Sequence, residues 1–319
     1  GFDFEFFKGR LSGTVEYFSR KTTDMLYNKP MNASAGYASI PMNVGSMTNK
    51  GVELDLNGLL IETNDLTWRM NFNLTHFKNT INELDPSLNG EMISGSYIYR
   101  EGESRYQFYL RKYAGVDENG VAQYYKDITD AEGNVTGQEK TTDAPNATRY
   151  ATGDILPKVY GGFNINLSYK AFDLSTVFSY SLGGKVLDSS YRGLMDVGEF
   201  GYAVSPDLHN AWTTPGQITD VPRLDNNSGH ATSIGQSYST RWLTNANYLN
   251  LRTVTLAYNL PKSILNVINI KSARVNVSAE NLFMLKARQG LNPQANYAGV
   301  SYNEYMPAKN FTIGLNVSF

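Results

Sequence analysis

The chain has 319 residues, 41% of them hydrophobic and 18% charged, with a formal charge of −2 and a mean hydropathy of −0.37. No run approaches the roughly 18 apolar residues of a spanning helix, which excludes a helical membrane protein, and the near-neutral balance gives a nucleic-acid partner no support. With no cysteine, disulfide frameworks, thiolate zinc sites and cysteine nucleophiles are also excluded.

Strand signals begin at once and helical periodicity is almost absent. Phe2–Phe7 and Leu11–Ser19 read as a strand pair joined by Lys8-Gly9-Arg10. Val52, Leu54 and Leu56 then oppose Glu53, Asp55 and Asn57. The clearest early strand is Leu66–Thr75, in which Leu66, Trp68, Met70, Phe72 and Leu74 share one face. Thr67, Arg69, Asn71, Asn73 and Thr75 share the other. This run meets the about 9–11 residues of a membrane strand. It also keeps Arg69 off the apolar side, where a midplane charge costs about 2–4 kcal/mol.

A hairpin is expected at Arg105–Ala114 and Val121–Asp127, around Asp117-Glu-Asn-Gly120. Phe163, Ile165, Leu167 and Tyr169 mark the next strand, and Gly161-Gly162 at its start predicts close backbone approach or a bend. Leu174, Thr176, Phe178 and Tyr180 follow, with Val177 blurring the alternation. Val254, Leu256, Tyr258 and Leu260 form another strand; Arg252 shares their parity and is placed at a membrane rim. Val275, Val277 and Ala279 precede the terminal strand Phe311–Phe319, which alternates large apolar and small polar residues and ends on an aromatic.

This gives about eleven strands, with short connections alternating with long ones. The long segments are Thr22–Thr48, Asp85–Glu103, Ile128–Leu156, Lys185–Asn247 and Lys286–Lys309. Short periplasmic turns and long extracellular loops are the rhythm of an all-β, transmembrane antiparallel β-barrel of the bacterial outer membrane. The 22 Tyr and 15 Phe, against 3 Trp, suit membrane interfaces and binding loops. A sandwich or propeller shares the alternation and stays open as an alternative on strand pattern alone.

Five stretches resemble the SusC/RagA family, the TonB-dependent outer-membrane transporters of Bacteroidetes-type bacteria. They are Asn43-Val-Gly-Ser-Met-Thr-Asn-Lys-Gly-Val-Glu-Leu54, Leu156–Leu174, Tyr248–Lys262, Ala279-Glu-Asn-Leu-Phe283 and Phe311–Phe319. All are barrel-building sequence, in the family's order. Leu291-Asn-Pro-Gln294 departs from the more acidic proline motif the family often has there. The resemblance implies that residues 1–319 are the carboxy-terminal portion of a plugged barrel of the 22-stranded type. The plug, the TonB-contacting segment and any accessory amino-terminal domain are expected upstream of Gly1. It further implies uptake of an oligomeric nutrient, glycan or peptide, with a SusD-like surface lipoprotein as lid. The TonB complex would supply energy through the missing plug region, and outer-membrane lipid would surround the wall. A passive porin-like or surface-binding barrel, and a secreted soluble glycan-binding β-protein, are the competing expectations.

Residues for covalent chemistry are not assembled by any motif, so no enzyme, cofactor or resident metal is expected. His76, His209 and His230 lack metal-ligand spacing. Asp117-Glu-Asn-Gly120 and Asp130-Ala-Glu-Gly-Asn134 lack the alternating oxygen ligands of a calcium loop and read as turns. The Lys185–Asn247 loop is the binding candidate, through Tyr191, Arg192, Tyr202, Trp212, Arg223, Asn226, Asn227 and Tyr238. Aromatic platforms with Arg and Asn donors suit sugars or peptides, and the competing role for these side chains is to pack the loop on itself or on a lid partner.

Overall fold

In the computed structural model, nine strands form one antiparallel sheet in which every strand pairs with its neighbour among the nine in chain order. The structure describes all residues except 44, 197–200, 226–233, 269 and 295–296. The strands are β1 (Phe2–Phe6), β2 (Leu11–Thr22), β3 (Ser46–Glu62), β4 (Leu66–Glu83) and β5 (Val159–Tyr169). Then come β6 (Phe172–Leu182), β7 (Tyr248–Asn259), β8 (Ser272–Lys286) and β9 (Asn310–Ser318). β1 and β9 stand at the two ends of the strand order, each paired on one side among the described residues.

Register makes the sheet two-faced. One apolar row runs Phe4, Gly13, Leu56, Phe72, Phe163, Phe178, Leu251, Phe283, each directly opposite the next. A second runs Ile61, Trp68, Leu167, Leu174, Leu256, Val277, Ile313. The Phe163 and Phe178 rings stack 4.5 Å apart, and the Phe172 and Tyr258 rings lie 4.8 Å apart beside the short turns. Between these rows, on the opposite face, Asn57, Asn71, Asn164, Val177, Thr253, Glu280 and Asn310 form a third row, polar except at Val177. Cross-strand hydrogen bonds tie that face together: Ser175 Oγ donates to Asn166 Oδ1 at 2.8 Å, and Asn310 Nδ2 to Glu280 Oε2 at 3.2 Å. Arg274 pairs with Asp173 at 3.2 Å there. Arg69, opposite Asn166, is on this polar face as expected.

Two expectations are corrected. The hairpin assigned to 105–127 is outside the wall: Gln107–Arg111 joins a four-stranded loop sheet and Ala122–Thr129 a three-stranded one. The wall therefore has nine strands where alternation suggested about eleven, because period-2 patterning reports a half-buried strand without saying which sheet it joins. Arg252 is also not at a rim. Val177 pairs with Thr253 and Phe178 with Leu251, so Arg252 is the extra residue of a β-bulge. The bulge moves the apolar face from even positions at Val254 and Leu256 to odd ones at Leu251 and Leu249, and Arg252 drops out of the row.

Gly161 confirms the close approach read from its sequence: a Cβ there would lie 2.1 Å from the Asn73 carbonyl oxygen. Short turns gather at one end of the wall and long connections at the other. The buried core is in those long connections, and this is what positions the candidate site. A single sheet has no interior, whereas Phe108, Leu110, Leu187, Met195, Leu208, Trp242 and Val300 pack into one apolar cluster among the loops.

Candidate functional site

Three long connections interlock above the wall. Leu187 and Asp188 pair in parallel with Val300 and Ser301, and Arg111 bridges Ser239. Asp188 anchors the arrangement. Its carboxylate caps the short helix Ser189–Leu194 by accepting from the Tyr191 N–H at 2.9 Å. Its other oxygen takes both Nε and Nη2 of Arg288, with Nε at 3.1 Å. The Asp188 side chain is 3% exposed and that of Arg288 30%, so a buried carboxylate meets a half-buried guanidinium across 100 residues of sequence.

Tyr191 is the next node. The Arg288 guanidinium lies 4.1 Å over its ring, and the Trp242 ring packs T-shaped against it with centroids 6.0 Å apart. The Tyr191 hydroxyl donates to Asp207 Oδ2 at 2.6 Å. Burial, then the Asp207 hydrogen bond and charge, push the phenol up to about 12. Arg192 stacks 4.3 Å over the Tyr238 ring and donates Nη1 to the Gln236 carbonyl at 2.9 Å. Its Nε is buried without a partner among the described residues.

Trp212 and Arg223 meet elsewhere, on the Asp117–Gly120 turn. Arg223 Nη1 donates to the Asn119 carbonyl at 2.9 Å, and the Arg223 N–H to the Gly120 carbonyl at 2.8 Å. The Trp212 ring covers Gly120, whose φ is +80° and where a Cβ would sit 2.5 Å from the indole. Asp117 accepts from the N–H groups of Asn119 and Val121 at 2.9 and 2.7 Å, closing its own turn. Asp130 does the same with Asn134 and Glu132, and the Asn134 hydrogen bonds hold its carboxyl below the usual range.

The eight sequence-predicted residues therefore divide. Tyr191, Arg192 and Tyr238 come together, Trp212 and Arg223 form a second group, and Tyr202 stands apart at 71% exposure. Asn226 and Asn227 lie outside the described residues, as does His230. Asp188, Asp207, Trp242 and Arg288 were missed. Asp188 before Ser-Ser-Tyr-Arg was legible as a helix cap; nothing local in the sequence pairs it with Arg288. Among the described residues, no group of three or more His, Asp or Glu side chains is placed to hold a metal ion.

A nine-stranded antiparallel wall with one continuous apolar face and one hydrogen-bonded polar face, topped by packed loops, defines a β-barrel of the transmembrane type. No family model matches the chain. It is 31% identical over its whole length to TonB-dependent receptor P3 of Formosa agariphila, covering 33% of that protein. It is 26% identical, again over its whole length, to TonB-dependent receptor SusC of Bacteroides thetaiotaomicron, covering 31%. The fold matches the RagAB peptide transporter with a TM-score of 0.82 and 31% identity, over 98% of this chain and 34% of that one. The RagAB peptide importer in its 'closed-closed' state gives 0.81, again at 31% identity and over 98% and 34% of the two chains. Over its whole length, then, the chain is similar to TonB-dependent receptors, SusC among them, and to the RagAB transporter. It spans about one third of the length of the curated relatives it matches.

Proposed function

We propose that residues 1–319 are the carboxy-terminal barrel portion of an outer-membrane nutrient importer driven by TonB. The observation that carries this reading is the two-faced wall: hydrocarbon-compatible rows outside, a polar hydrogen-bonded face inside, and similarity to named transporters along the full chain. The open ends of the sheet, β1 and β9, would be satisfied by further barrel strands, since unpaired edges otherwise template aggregation. A lumen plug and the TonB contact belong to the remainder of such a receptor, and a SusD-like lipoprotein would close over the loop assembly.

The cargo is an oligomeric nutrient, oligopeptide or oligosaccharide. RagAB is described as a peptide importer, and at 31% identity that supports the peptide arm. In the Lys185–Asn247 loop, cargo contact falls to the exposed Tyr202 and the half-exposed Tyr238, which Arg192 holds by stacking. Tyr191, Trp212 and Arg223 hold the loops that present them. Transport needs no covalent step: binding energy at the loops captures cargo, and energised remodelling of the plug releases it.

The test is purification of the complete receptor in detergent, with mass spectrometry of co-purifying chains and ligand. A lipoprotein partner and a bound oligomer are expected. Ion conductance by the purified barrel without partner or cargo would replace this reading by a passive pore. With the trapped ligand in hand, Tyr202→Ala and Tyr238→Ala should each weaken binding by about tenfold.

A further inference from the structure

The outward face of the wall changes character at its upper end. On β4 the outward positions run Leu66, Trp68, Met70, Phe72, Leu74 and then His76 and Lys78. Lys78 is directly opposite Lys50 of β3, both exposed, and His76 is opposite Val52. Like charges facing each other across a strand pair are destabilising unless an anion lies between or beside them. Neither lysine is in an ion pair among the described residues, nor are Lys158 and Lys185 nearby.

Two cavities of opposite chemistry meet there. A cleft of about 560 Å³ is lined by His76, Lys78, Lys158 and Lys185 together with Gly183 and Gly184. Its lining holds one carboxylate, Asp154, whose Oδ1 already accepts from the Leu156 N–H at 2.9 Å. Next to it is a trough of about 480 Å³ lined by Tyr180, Leu182, Leu249 and Leu285, on the apolar face. Asn245 and Asn247 line both, so cleft and trough adjoin. A cationic cleft continuous with an oily trough, at the height where the wall leaves the apolar band, has the shape of one amphipathic ligand.

We infer that the upper outer rim of β4–β7 seats a phosphate-bearing lipid of the surrounding leaflet, its phosphate among Lys78, Lys158 and Lys185 and one acyl chain along the Leu249–Leu285 trough. The proposal rests on the membrane reading above and adds a specific lipid to it. Phosphate relieves the Lys50–Lys78 confrontation, the ammonium groups supply charge-assisted hydrogen bonds, and the chain replaces generic hydrocarbon in a shaped groove.

The probe is diphosphorylated lipid A added to the complete detergent-purified receptor, with bound lipid read by native mass spectrometry. Wild type should retain it, and Lys78→Glu/Lys158→Glu/Lys185→Glu should lower apparent affinity about a hundredfold. Lys78→Gln/Lys158→Gln should lower it less, and keeps the test valid should charge reversal prevent folding. Leu285→Trp, which fills the trough without adding charge, should also weaken retention. Lys262→Glu/Lys271→Glu, at the opposite end of the wall, should leave it unchanged. Equal retention by the cleft variants, equal retention of dephosphorylated lipid A, or displacement by inorganic phosphate at the same concentration would each overturn the proposal. A receptor that stays monodisperse without detergent would instead sink the membrane reading itself.

Discussion

Replacing Ile165 by Arg puts the two-faced wall to its most direct trial. Ile165 is on the apolar face, opposite Met70 of β4 and Thr176 of β6. It lies four residues above Tyr169 at the short-turn end. At about 3.4 Å per residue that is about 14 Å along the strand, and about 10 Å along the membrane normal for a strand tilted about 40°. The apolar band of such barrels is about 25 Å tall, so Ile165 sits close to its middle. An arginine there should cost about 2–4 kcal/mol. Asn164→Arg, one residue along, enters the polar face opposite the uncharged Asn71 and Val177 and should cost well under about 1 kcal/mol. Urea unfolding of the complete receptor in lipid vesicles reads both. Equal destabilisation by the two variants, or a larger effect from Asn164→Arg, would refute the assignment of faces.

Spin labels at Met70, Leu256 and Leu315 should sense a lipid-soluble quencher, and labels at Asn71, Thr255 and Asn316 should not; uniform aqueous access at all six would contradict the register. Asp188→Ala strands Arg288 and uncaps the helix Ser189–Leu194. It should therefore raise local opening by about 3 kcal/mol, seen as faster amide exchange at 185–196 and 286–301 with β2–β8 unaffected. Gly120→Val pairs a left-handed φ with a Cβ 2.5 Å from the Trp212 indole; a loss of about 2–3 kcal/mol in the loop assembly should appear as faster proteolysis near residue 120. Tyr191 and Tyr124 are both pushed up to about 12, chiefly by burial, from an ordinary value of 10.0. The unfolded loops therefore lose these protons first: the contribution to stability is complete below about pH 10 and is lost as pH rises through about 12. Near-ultraviolet absorbance of phenolate should lag that of free tyrosine across this window; coincident titration would show the rings are wet.

The wall was written in the sequence because its physics is local. A β-strand between hydrocarbon and water must alternate, so Leu66–Leu74, Phe163–Tyr169 and Phe311–Phe319 disclose both faces without reference to any neighbour, and short turns must separate them at one end. The tertiary structure alone decided three things. It assigned the 107–129 strands to the loops, because alternation carries no information about which partner supplies the ladder. It moved Arg252 out of the apolar row through a bulge, which exists only as a mismatch of counts between paired strands. It turned the aromatic and arginine residues of the Lys185–Asn247 loop mostly inward, because Asp188 and Arg288, distant in sequence, meet only once the three long connections have folded against one another.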